Sequence, residues 1–400
     1  MGNFLPFRIL EPEMSAKCLN RVKNGKFASK MELLILRQKA RTCPRKCLRN
    51  VLESRSNLHQ KLAIFAPEKE DSPRGNTMSF IQELKEKVLN GYETTREDAI
   101  QLLSADLDEL TQAADEIRKK FFGNDFDFCA IVNARSGRCS ENCKYCAQSS
   151  YYHTDAPEYK LLSEEEILAD AKQKEAAGIP RYSIVTSGRT LSNADVEQIS
   201  NTVRRIKKET KLSVCLSAGL LKREQFDKLK EAGLTRFHNN LETYRRHFPD
   251  VCTTHTYDDK IAALQNALAA GLDICSGGIM GLGETMEDRI DMCIDLRKLG
   301  VKSTPINVLN AIPGTPFEKL TPLTNDEFCR IVAIYRFINP HAFLRLAGGR
   351  RVLGDNGKKA FKSGANATIT DDMLTTTSMQ SDCDFKMIKE LGFCPHGFLE

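Results

Sequence analysis

What this sequence lacks excludes several classes of protein. It contains no tryptophan, and its longest apolar runs, such as Leu33–Leu36, are far shorter than the ~18 residues of a transmembrane helix. Its fourteen cysteines in 400 residues are well below the ~8–10% that is typical of a small disulfide scaffold. With 41% hydrophobic and 28% charged residues, it is not a disordered chain either. The length fits two average domains, or one α/β barrel with an added segment.

The excess of positive charge is confined to the beginning of the chain. Residues 1–75 contain 16 Lys and Arg against 7 Asp and Glu, whereas the other residues contain 42 against 46. We therefore predict a leader-like or disordered basic extension over 1–75 and a catalytic domain over 76–400. The charge of the second part argues against nucleic-acid binding. Glu11, Glu13 and Glu32 weaken the interpretation of the extension as an organellar transit peptide, so a cytoplasmic protein is expected.

From residue 79 onward, hydrophobic periodicity predicts the fold. Three helical patterns precede eight short runs rich in β-branched residues, most of them separated by amphipathic stretches of helical period. The runs are Cys129–Asn133, Tyr182–Ser187, Leu212–Ser217, Thr235–Leu241, Asp273–Met280, Ser303–Leu309, Ala342–Leu346 and Ala367–Thr370. This alternation predicts an α/β fold, a closed parallel (β/α)8 barrel of the TIM type with N-terminal helices. An open doubly wound sheet is the alternative, and in both folds functional groups gather at the carboxyl ends of the strands.

Three cysteines lie within eight residues in the loop that follows the first predicted strand. Cys139, Cys143 and Cys146 form a CxxxCxxC pattern, which supplies three of the four ligands of a [4Fe–4S] cluster and leaves one iron open. An open iron can bind a small molecule, whereas a site closed by four cysteines transfers electrons or supports structure. A zinc site would need a fourth ligand close by, and the nearest candidate is His153.

This triplet, with Tyr145 before its last cysteine, resembles the radical S-adenosylmethionine (SAM) enzymes. In that family the open iron binds SAM, and an electron from the cluster cleaves SAM to a 5′-deoxyadenosyl radical. A second motif agrees, because Gly277, Ile279, Gly281 and Glu284 match the family's GxIxGxxE pattern on the fifth predicted strand. The resemblance implies that this strand packs beside the adenine of SAM, where glycine allows a close approach to the backbone.

Further motifs narrow the resemblance to the biotin synthase family over roughly residues 79–393. They are Tyr145–Ser150, His238–Thr243, Thr253–Tyr257, Ile274–Gly278, Pro305–Asn307, Gly314–Pro316, Arg345–Arg350, Ser363–Asn366 and Met373–Thr376. The resemblance implies that two unactivated C–H bonds of dethiobiotin are replaced by C–S bonds, with two SAM molecules consumed. It implies that a second, auxiliary iron–sulfur cluster supplies the sulfur. It also implies an electron donor such as flavodoxin or ferredoxin, and a homodimer.

The same resemblance assigns three polar residues to ligand binding. Asn240 and Glu242 are implied to hold the ribose of SAM and the ureido ring of the substrate, and Asn307 to hydrogen-bond the substrate. Asn240 and Glu242 are two residues apart on a predicted strand, so their side chains share one face. Some branches of the family have Asp at the position of Glu242.

The sequence departs from the family at the auxiliary cluster, whose usual ligands are three barrel cysteines and an arginine. The third, fifth and seventh strands give Cys215, Cys275 and Arg345, but the second strand gives Ser183, and a serine hydroxyl is a poor iron ligand. We predict that Cys129 on the adjacent first strand replaces the missing thiolate, provided that the strand turns it inward. A buried free cysteine is the alternative. The family precedent is a [2Fe–2S] cluster, and the altered ligands leave its type open here.

Two other functions stay open at this point. One is a different radical SAM enzyme similar to biotin synthase, such as a hydrogenase-cofactor maturase or a methylornithine synthase, although these lack the combined Cys215, Cys275 and Arg345 set. The other is a non-catalytic zinc or iron–sulfur protein. Five other cysteines are expected to be structural or exposed: Cys252, Cys293, Cys329, Cys383 and Cys394.

Overall fold

The computed structural model describes residues 78–371, 373–375 and 379–395, so the predicted basic extension over 1–75 lies outside the described residues. The helices are α1 (Phe80–Leu89), α2 (Arg96–Gln101), α3 (Leu107–Phe122), α4 (Glu164–Ala176), α5 (Asn193–Glu209), α6 (Arg223–Glu231), α7 (Phe248–Val251), α8 (Tyr257–Ala269), α9 (Met286–Lys298), α10 (Asn325–Ile338), α11 (Lys358–Phe361) and α12 (Ser381–Glu390), with 3₁₀ turns at Leu102–Ser104 and Arg350–Leu353. The strands are β1 (Asp125–Arg135), β2 (Arg181–Thr186), β3 (Ser213–Ser217), β4 (Arg236–His238), β5 (Asp273–Cys275), β6 (Gly278–Met280), β7 (Ser303–Val308), β8 (Phe343–Leu346), β9 (Ala367–Thr370) and β10 (Cys394–Pro395).

The strands form a closed parallel barrel. The order runs β1-β2-β3-β4-β5-β7-β8-β9, β6 pairs with β7, and β9 pairs back with β1. The predicted (β/α)8 barrel is therefore confirmed and the open doubly wound sheet is wrong. No helix of the described part is both long enough and apolar enough to cross a bilayer.

Helix starts in the barrel follow from one local signal. Five helices begin after a Ser or Thr whose hydroxyl accepts from a backbone N–H three residues on, while the acidic side chain at that position bonds back. These capping boxes start at Ser163, Ser192, Thr256, Thr285 and Thr324. Each fixes where a helix leaves the loop at the carboxyl end of the preceding strand, and hence where the site loops lie.

The fifth barrel strand is broken, in contrast to the single run predicted over Asp273–Met280. It consists of β5 and β6, separated by Ser276 and Gly277. The backbone of Gly277 turns toward β7, and a Cβ atom there would lie 1.8 Å from the carbonyl oxygen of Pro305. Its N–H donates to Oδ1 of Asn240 (3.1 Å) instead of to a strand. The break follows from these two tertiary contacts.

Candidate active site

A cavity of about 390 Å³ occupies the interior of the barrel and brings most of the predicted site residues together. Thirteen of them line it: Cys129, Cys139, Cys143, Tyr145, Cys146, Ser183, Cys215, Asn240, Glu242, Cys275, Ile279, Asn307 and Arg345. Three others, Gly277, Gly281 and Glu284, lie outside the lining. The cavity therefore joins the cysteine triplet to the interior cysteines within one enclosure.

The loop after β1 folds back on itself and presents the cysteine triplet to this cavity. The N–H of Cys139 donates to the carbonyl of Gln148 (3.0 Å), and Ser150 donates to the carbonyl of Cys139 (2.8 Å). A turn closes between Cys146 and Cys143, with N–H to carbonyl at 3.0 Å. Burial raises the pKa of Cys146 to about 11, so this thiol is protonated at neutral pH unless a metal binds it.

The spacing of the triplet sulfurs fits a cluster better than a single ion. One tetrahedral zinc holds its sulfur ligands within about 4 Å of one another, because each Zn–S bond is about 2.3 Å. Among the described residues, the group of three ligand atoms that all lie within 4.8 Å of one another is Cys143, Cys252 and His255, not the triplet. His153, the nearest candidate for a fourth ligand in the alternative zinc site, is exposed and outside that group.

The glycine-rich motif divides into one residue that faces the cavity and others that shape the chain. Ile279 lines the cavity. The Oε1 atom of Glu284 accepts from the N–H of Gly281 (2.8 Å) and from Nε of Arg289 (2.6 Å). Glu284 thus holds the turn after β6. The close approach that glycine permits at residue 277 is to the backbone of Pro305.

Glu242 occupies an unusual backbone conformation beside the triplet. Its φ is +70°, a region that non-glycine residues rarely adopt. Its N–H donates to Gly277 O (3.2 Å) and its carbonyl accepts from Ile279 N (2.8 Å), which holds the residue there. Burial, followed by the charge of Glu242, raises the pKa of Tyr145 well above its ordinary value. Oε2 of Glu242 is buried without a hydrogen-bond partner among the described residues, as expected of a group that awaits a ligand.

The two asparagines that line the cavity differ in how much hydrogen-bonding capacity they retain. Asn240 accepts from Gly277 N (3.1 Å) through Oδ1, so its amide N–H groups remain for a ligand. Asn307 donates to Gly278 O (3.0 Å) and accepts from Gly348 N (2.9 Å). One N–H of Asn307 therefore remains, and the rest of the amide ties β7 to β6 and to the loop after β8.

Three further cysteines lie deep in the barrel, on the side where the strands begin, which is called here the closed end. They line the cavity and are buried: Cys129, Cys215 and Cys275. The strand register places Ser183 level with Cys215, and Cys129 level with Arg181, two residues deeper. Cys129 therefore faces inward, which is the condition on which its predicted role as the replacement ligand depends. Burial raises the pKa of Cys129 to about 12, although the charge of Arg345 opposes this.

Positive charge is in excess around these interior cysteines. Arg345 donates from Nη2 to the carboxylate of Asp127, from Nη1 to Thr368 O (2.7 Å), and from Nε to Ser303 Oγ (3.4 Å). Arg181 and Arg236 also line the cavity, and the Nε atom of each is buried without a hydrogen-bond partner in the described part of the chain. Arg345 and Arg181 thus face the buried carboxylate of Asp127, whereas Arg236 lies 3.9 Å from the partly exposed carboxylate of Asp273. Three largely buried guanidinium groups with one buried carboxylate suit an additional anionic group.

Comparison with known proteins decides between the families considered. The Radical SAM superfamily model matches residues 134–296, and the model of the Biotin and Thiamin Synthesis associated domain matches 305–394. A biotin synthase of Brachyspira hyodysenteriae is 56% identical over 78% of this chain and 94% of its own length. One of Akkermansia muciniphila is 54% identical over 79% of this chain and 98% of its own length. The chain belongs to the biotin synthase family.

Solved structures of more distant proteins share the fold. A methylornithine synthase has a TM-score of 0.69 at 21% identity, over 78% of this chain and 97% of its own. An [FeFe]-hydrogenase maturase, HydG, has a TM-score of 0.68 at 20% identity, over 79% of this chain and 75% of its own. At these identities the likeness extends to the barrel alone, and the assignment to the biotin synthase family rests on the closer relatives.

Sequence reasoning missed several cavity residues that the barrel contributes. Arg181 lies two residues before Ser183 on β2, and Arg236 on β4 is level with Cys215 on β3. Both line the cavity. His238 also lines the cavity, and burial lowers its pKa to about 4, so its imidazole is neutral at pH 7. Strand alternation puts Arg181 in phase with Ser183, and Arg236 and His238 in phase with Asn240, but the level of the arginines beside the interior cysteines is set by the register.

Cys252, which was expected to be structural or exposed, is buried and lies beside the cysteine triplet. Its Sγ lies 3.3 Å from Nδ1 of His255 and 3.3 Å from Oδ1 of Asn142. Hydrogen bonding with Cys143, then with His255 and Thr254, lowers the pKa of Cys252 to about 3. Cys252 is thus a neighbour of Cys143 in the fold, although 108 residues separate the two in the sequence.

Proposed function

We propose that this chain converts dethiobiotin to biotin by radical SAM sulfur insertion. One observation carries the proposal. A single barrel cavity holds three cysteines on the loop after β1 and three more cysteines, surrounded by arginines, at its closed end. The first set suits cleavage of SAM and the second suits a stored source of sulfur, with room for a substrate between them.

Cys139, Cys143 and Cys146 fit a [4Fe–4S] cluster, because three thiols line one cavity without being close enough for a single ion. With SAM bound, such a cluster supplies the 5′-deoxyadenosyl radical that abstracts hydrogen from an unactivated carbon. The residues around the cluster bind SAM and the substrate, orient them, and enclose them away from solvent. The turn that Glu284 holds through Gly281 keeps the loop after β6 in place, and Ile279 provides the apolar surface for an adenine.

Polar recognition falls to three residues whose remaining capacity matches hydroxyl and ureido groups. The unpartnered Oε2 of Glu242 accepts from a ribose hydroxyl or a ureido N–H. The free N–H groups of Asn240 donate to a carbonyl or hydroxyl oxygen, and the remaining N–H of Asn307 donates to the substrate. Because Asn240 and Asn307 are each anchored to the backbone, their orientation is fixed before a ligand arrives.

For the auxiliary iron–sulfur cluster we assign Cys129, Cys215 and Cys275 as thiolate ligands, with Cys129 in place of the thiolate that Ser183 cannot supply. Arg345 has its three nitrogens engaged by Ser303, Thr368 and Asp127, so its role is to balance negative charge. Measuring the iron and sulfide content of this cluster would show whether it is [2Fe–2S] or another type.

Two variants test this ligand assignment. Cys129→Ala is expected to lose the auxiliary iron while keeping the four irons of the triplet, and Ser183→Ala, its neighbour in the cavity, is expected to keep both. Iron and acid-labile sulfide analysis with Mössbauer spectroscopy measures the two contents. Unchanged cluster content in Cys129→Ala would defeat the assignment.

The activity itself is tested by anaerobic reconstitution, followed by incubation with dethiobiotin, SAM and reduced flavodoxin or ferredoxin. The wild-type chain is expected to form both 5′-deoxyadenosine and biotin. Cys139→Ala is expected to form neither, and Cys129→Ala to form 5′-deoxyadenosine without biotin. Wild-type chain that cleaves SAM without forming biotin would instead indicate another radical SAM reaction. The proposal also includes a homodimer located in the cytoplasm, for which sedimentation and cell fractionation are the measurements.

A further inference from the structure

Cys143, Cys252 and His255 form a compact group, called here the Cys252 triad, at the edge of the cavity. Their ligand atoms all lie within 4.8 Å of one another. Cys252 Sγ is 3.3 Å from Nδ1 of His255, close to the spacing of two ligands on one tetrahedral ion. Cys252 and His255 are buried, so both side chains are held in place by packing.

The two segments that carry the triad are joined by a network of hydrogen bonds. Lys144 follows Cys143 and Val251 precedes Cys252, and Lys144 N donates to Val251 O (3.0 Å). The side chain of Asn142 accepts from Thr253 N (2.9 Å) and donates to Thr253 Oγ1 (2.7 Å). This network orders the three ligand atoms in the chain without any metal, so little reorganisation is needed for binding.

A second set of contacts orients His255. Its Nδ1 lies 2.5 Å from Oε2 of Glu141, and that carboxylate also accepts from Thr254 Oγ1 (2.8 Å) and from Arg189 Nη1 (3.2 Å). Glu141 stays hydrogen-bonded to these two partners if Nδ1 binds a metal instead. The imidazole can therefore become a ligand without leaving a buried carboxylate unpaired.

We propose that the Cys252 triad binds one divalent ion of the zinc type in the chain that carries no cluster. Two thiols lose their protons to solvent and bind as thiolates, Nδ1 of His255 binds as the third ligand, and water takes the fourth position. No electron transfer is involved. The donor set of two sulfurs and one nitrogen is one that zinc prefers over magnesium or calcium.

Ion binding at the triad excludes the cluster, because both use Cys143. This consequence rests on the function proposed above, whereas ion binding does not. A zinc-loaded chain is then unable to complete the [4Fe–4S] site until the ion is removed. The triad makes cluster assembly sensitive to zinc through a residue, Cys252, that the cluster itself does not need.

The test uses the full chain, purified anaerobically, reduced and free of iron. Zinc is titrated against a chromophoric chelator, and cobalt(II) reports thiolate ligands through its charge-transfer absorption. Wild type and Cys139→Ala are each expected to bind one ion. Cys252→Ala and Cys252→Ser are expected to bind it more than about 100-fold more weakly, since loss of an outer-shell partner alone costs about 10–100-fold. Circular dichroism confirms that each variant is folded.

Cluster reconstitution supplies the second readout. Equimolar zinc is expected to suppress cluster formation in the wild-type chain but not in Cys252→Ala, and Cys139→Ala is expected to form no [4Fe–4S] cluster while still binding zinc. Wild-type zinc affinity in both Cys252 variants, or cobalt spectra without thiolate charge transfer, would overturn the inference. If zinc binds as expected but the wild-type chain never forms a cluster, the inference holds and the proposed function fails.

Discussion

The buried ion pair between Asp127 and Arg345 at the closed end of the barrel gives a quantitative prediction. Both side chains are at most 5% exposed, and the Asp127 carboxylate also lies 3.6 Å from Nε of Arg181. Burial opposes ionisation, but the charges of Arg345 and Arg181 outweigh it and lower the pKa of Asp127. Asp127→Asn leaves the guanidinium groups of Arg345 and Arg181, which line the cavity, without the buried carboxylate that they face.

Breaking a buried pair by removing one partner costs about 3–5 kcal/mol. For a domain of about 320 residues, with an unfolding entropy of about 2.1 cal/mol/K per residue, that corresponds to a melting temperature lowered by roughly 4–8 °C. This loss is expected for the cluster-free chain. An anionic cluster bound by Cys129, Cys215 and Cys275 replaces the missing negative charge, so reconstitution is expected to restore at least about half of the lost stability.

Asp384→Asn is the matched control. Asp384 pairs with Arg350 at 2.6 Å, both are buried, and neither lines the cavity. The control is expected to lose a similar amount of stability with or without clusters. Melting curves of both variants, recorded anaerobically before and after reconstitution, measure the difference. An Asp127→Asn variant that loses less than about 1 kcal/mol, or that responds to reconstitution no more than the control does, would refute the reasoning.

Substitutions at three further positions test single features of the site. Burial holds the pKa of His238 near 4, below its ordinary value of 6.5. Between pH 4 and 6.5 the unfolded chain therefore binds more protons than the folded chain does. The wild-type free energy of unfolding is expected to fall by up to about 3 kcal/mol as the pH is lowered from 6.5 to 4. His238→Gln is expected to flatten this dependence in denaturation at several pH values, and an identical slope would contradict it. Gly277→Ala is expected to destabilise the chain by at least about 1–3 kcal/mol, because the new Cβ meets Pro305 O at 1.8 Å; an unchanged melting temperature would show that the chain relaxes there. Glu242→Gly removes a side chain at φ +70° and is expected to stabilise the chain by about 1 kcal/mol while abolishing biotin formation, whereas Glu242→Ala is expected to lose activity without that gain.

The sequence predicted the barrel because its strands and helices carry strong local patterns. All eight predicted runs contain barrel strands, and capping boxes mark the helix starts. The break between β5 and β6 was not predictable in this way, because it depends on the contact of Gly277 with Pro305 on β7 and with Asn240 in the loop after β4. The hydrophobic pattern of one segment does not reveal its contacts with segments that are distant in the sequence.

The candidate site, like the fold, was predictable from the sequence only in part. Motif spacing located the triplet, and the sequence singled out Cys129 as a candidate whose inward orientation only the structure shows. The arginines of the closed end and the contact between Cys143 and Cys252 depend on register and on loop packing between distant segments. Strand register and loop packing are tertiary properties that the pattern of one sequence does not contain.

The central claim is that a cluster held by Cys139, Cys143 and Cys146 splits SAM beside a second, sulfur-donating site in the same cavity. Quantifying 5′-deoxyadenosine and biotin together, in an anaerobic reaction with dethiobiotin, SAM and reductant, tests it most directly. The account predicts two molecules of 5′-deoxyadenosine for each biotin formed. A reconstituted chain that holds no iron at the triplet and yields no 5′-deoxyadenosine would contradict it.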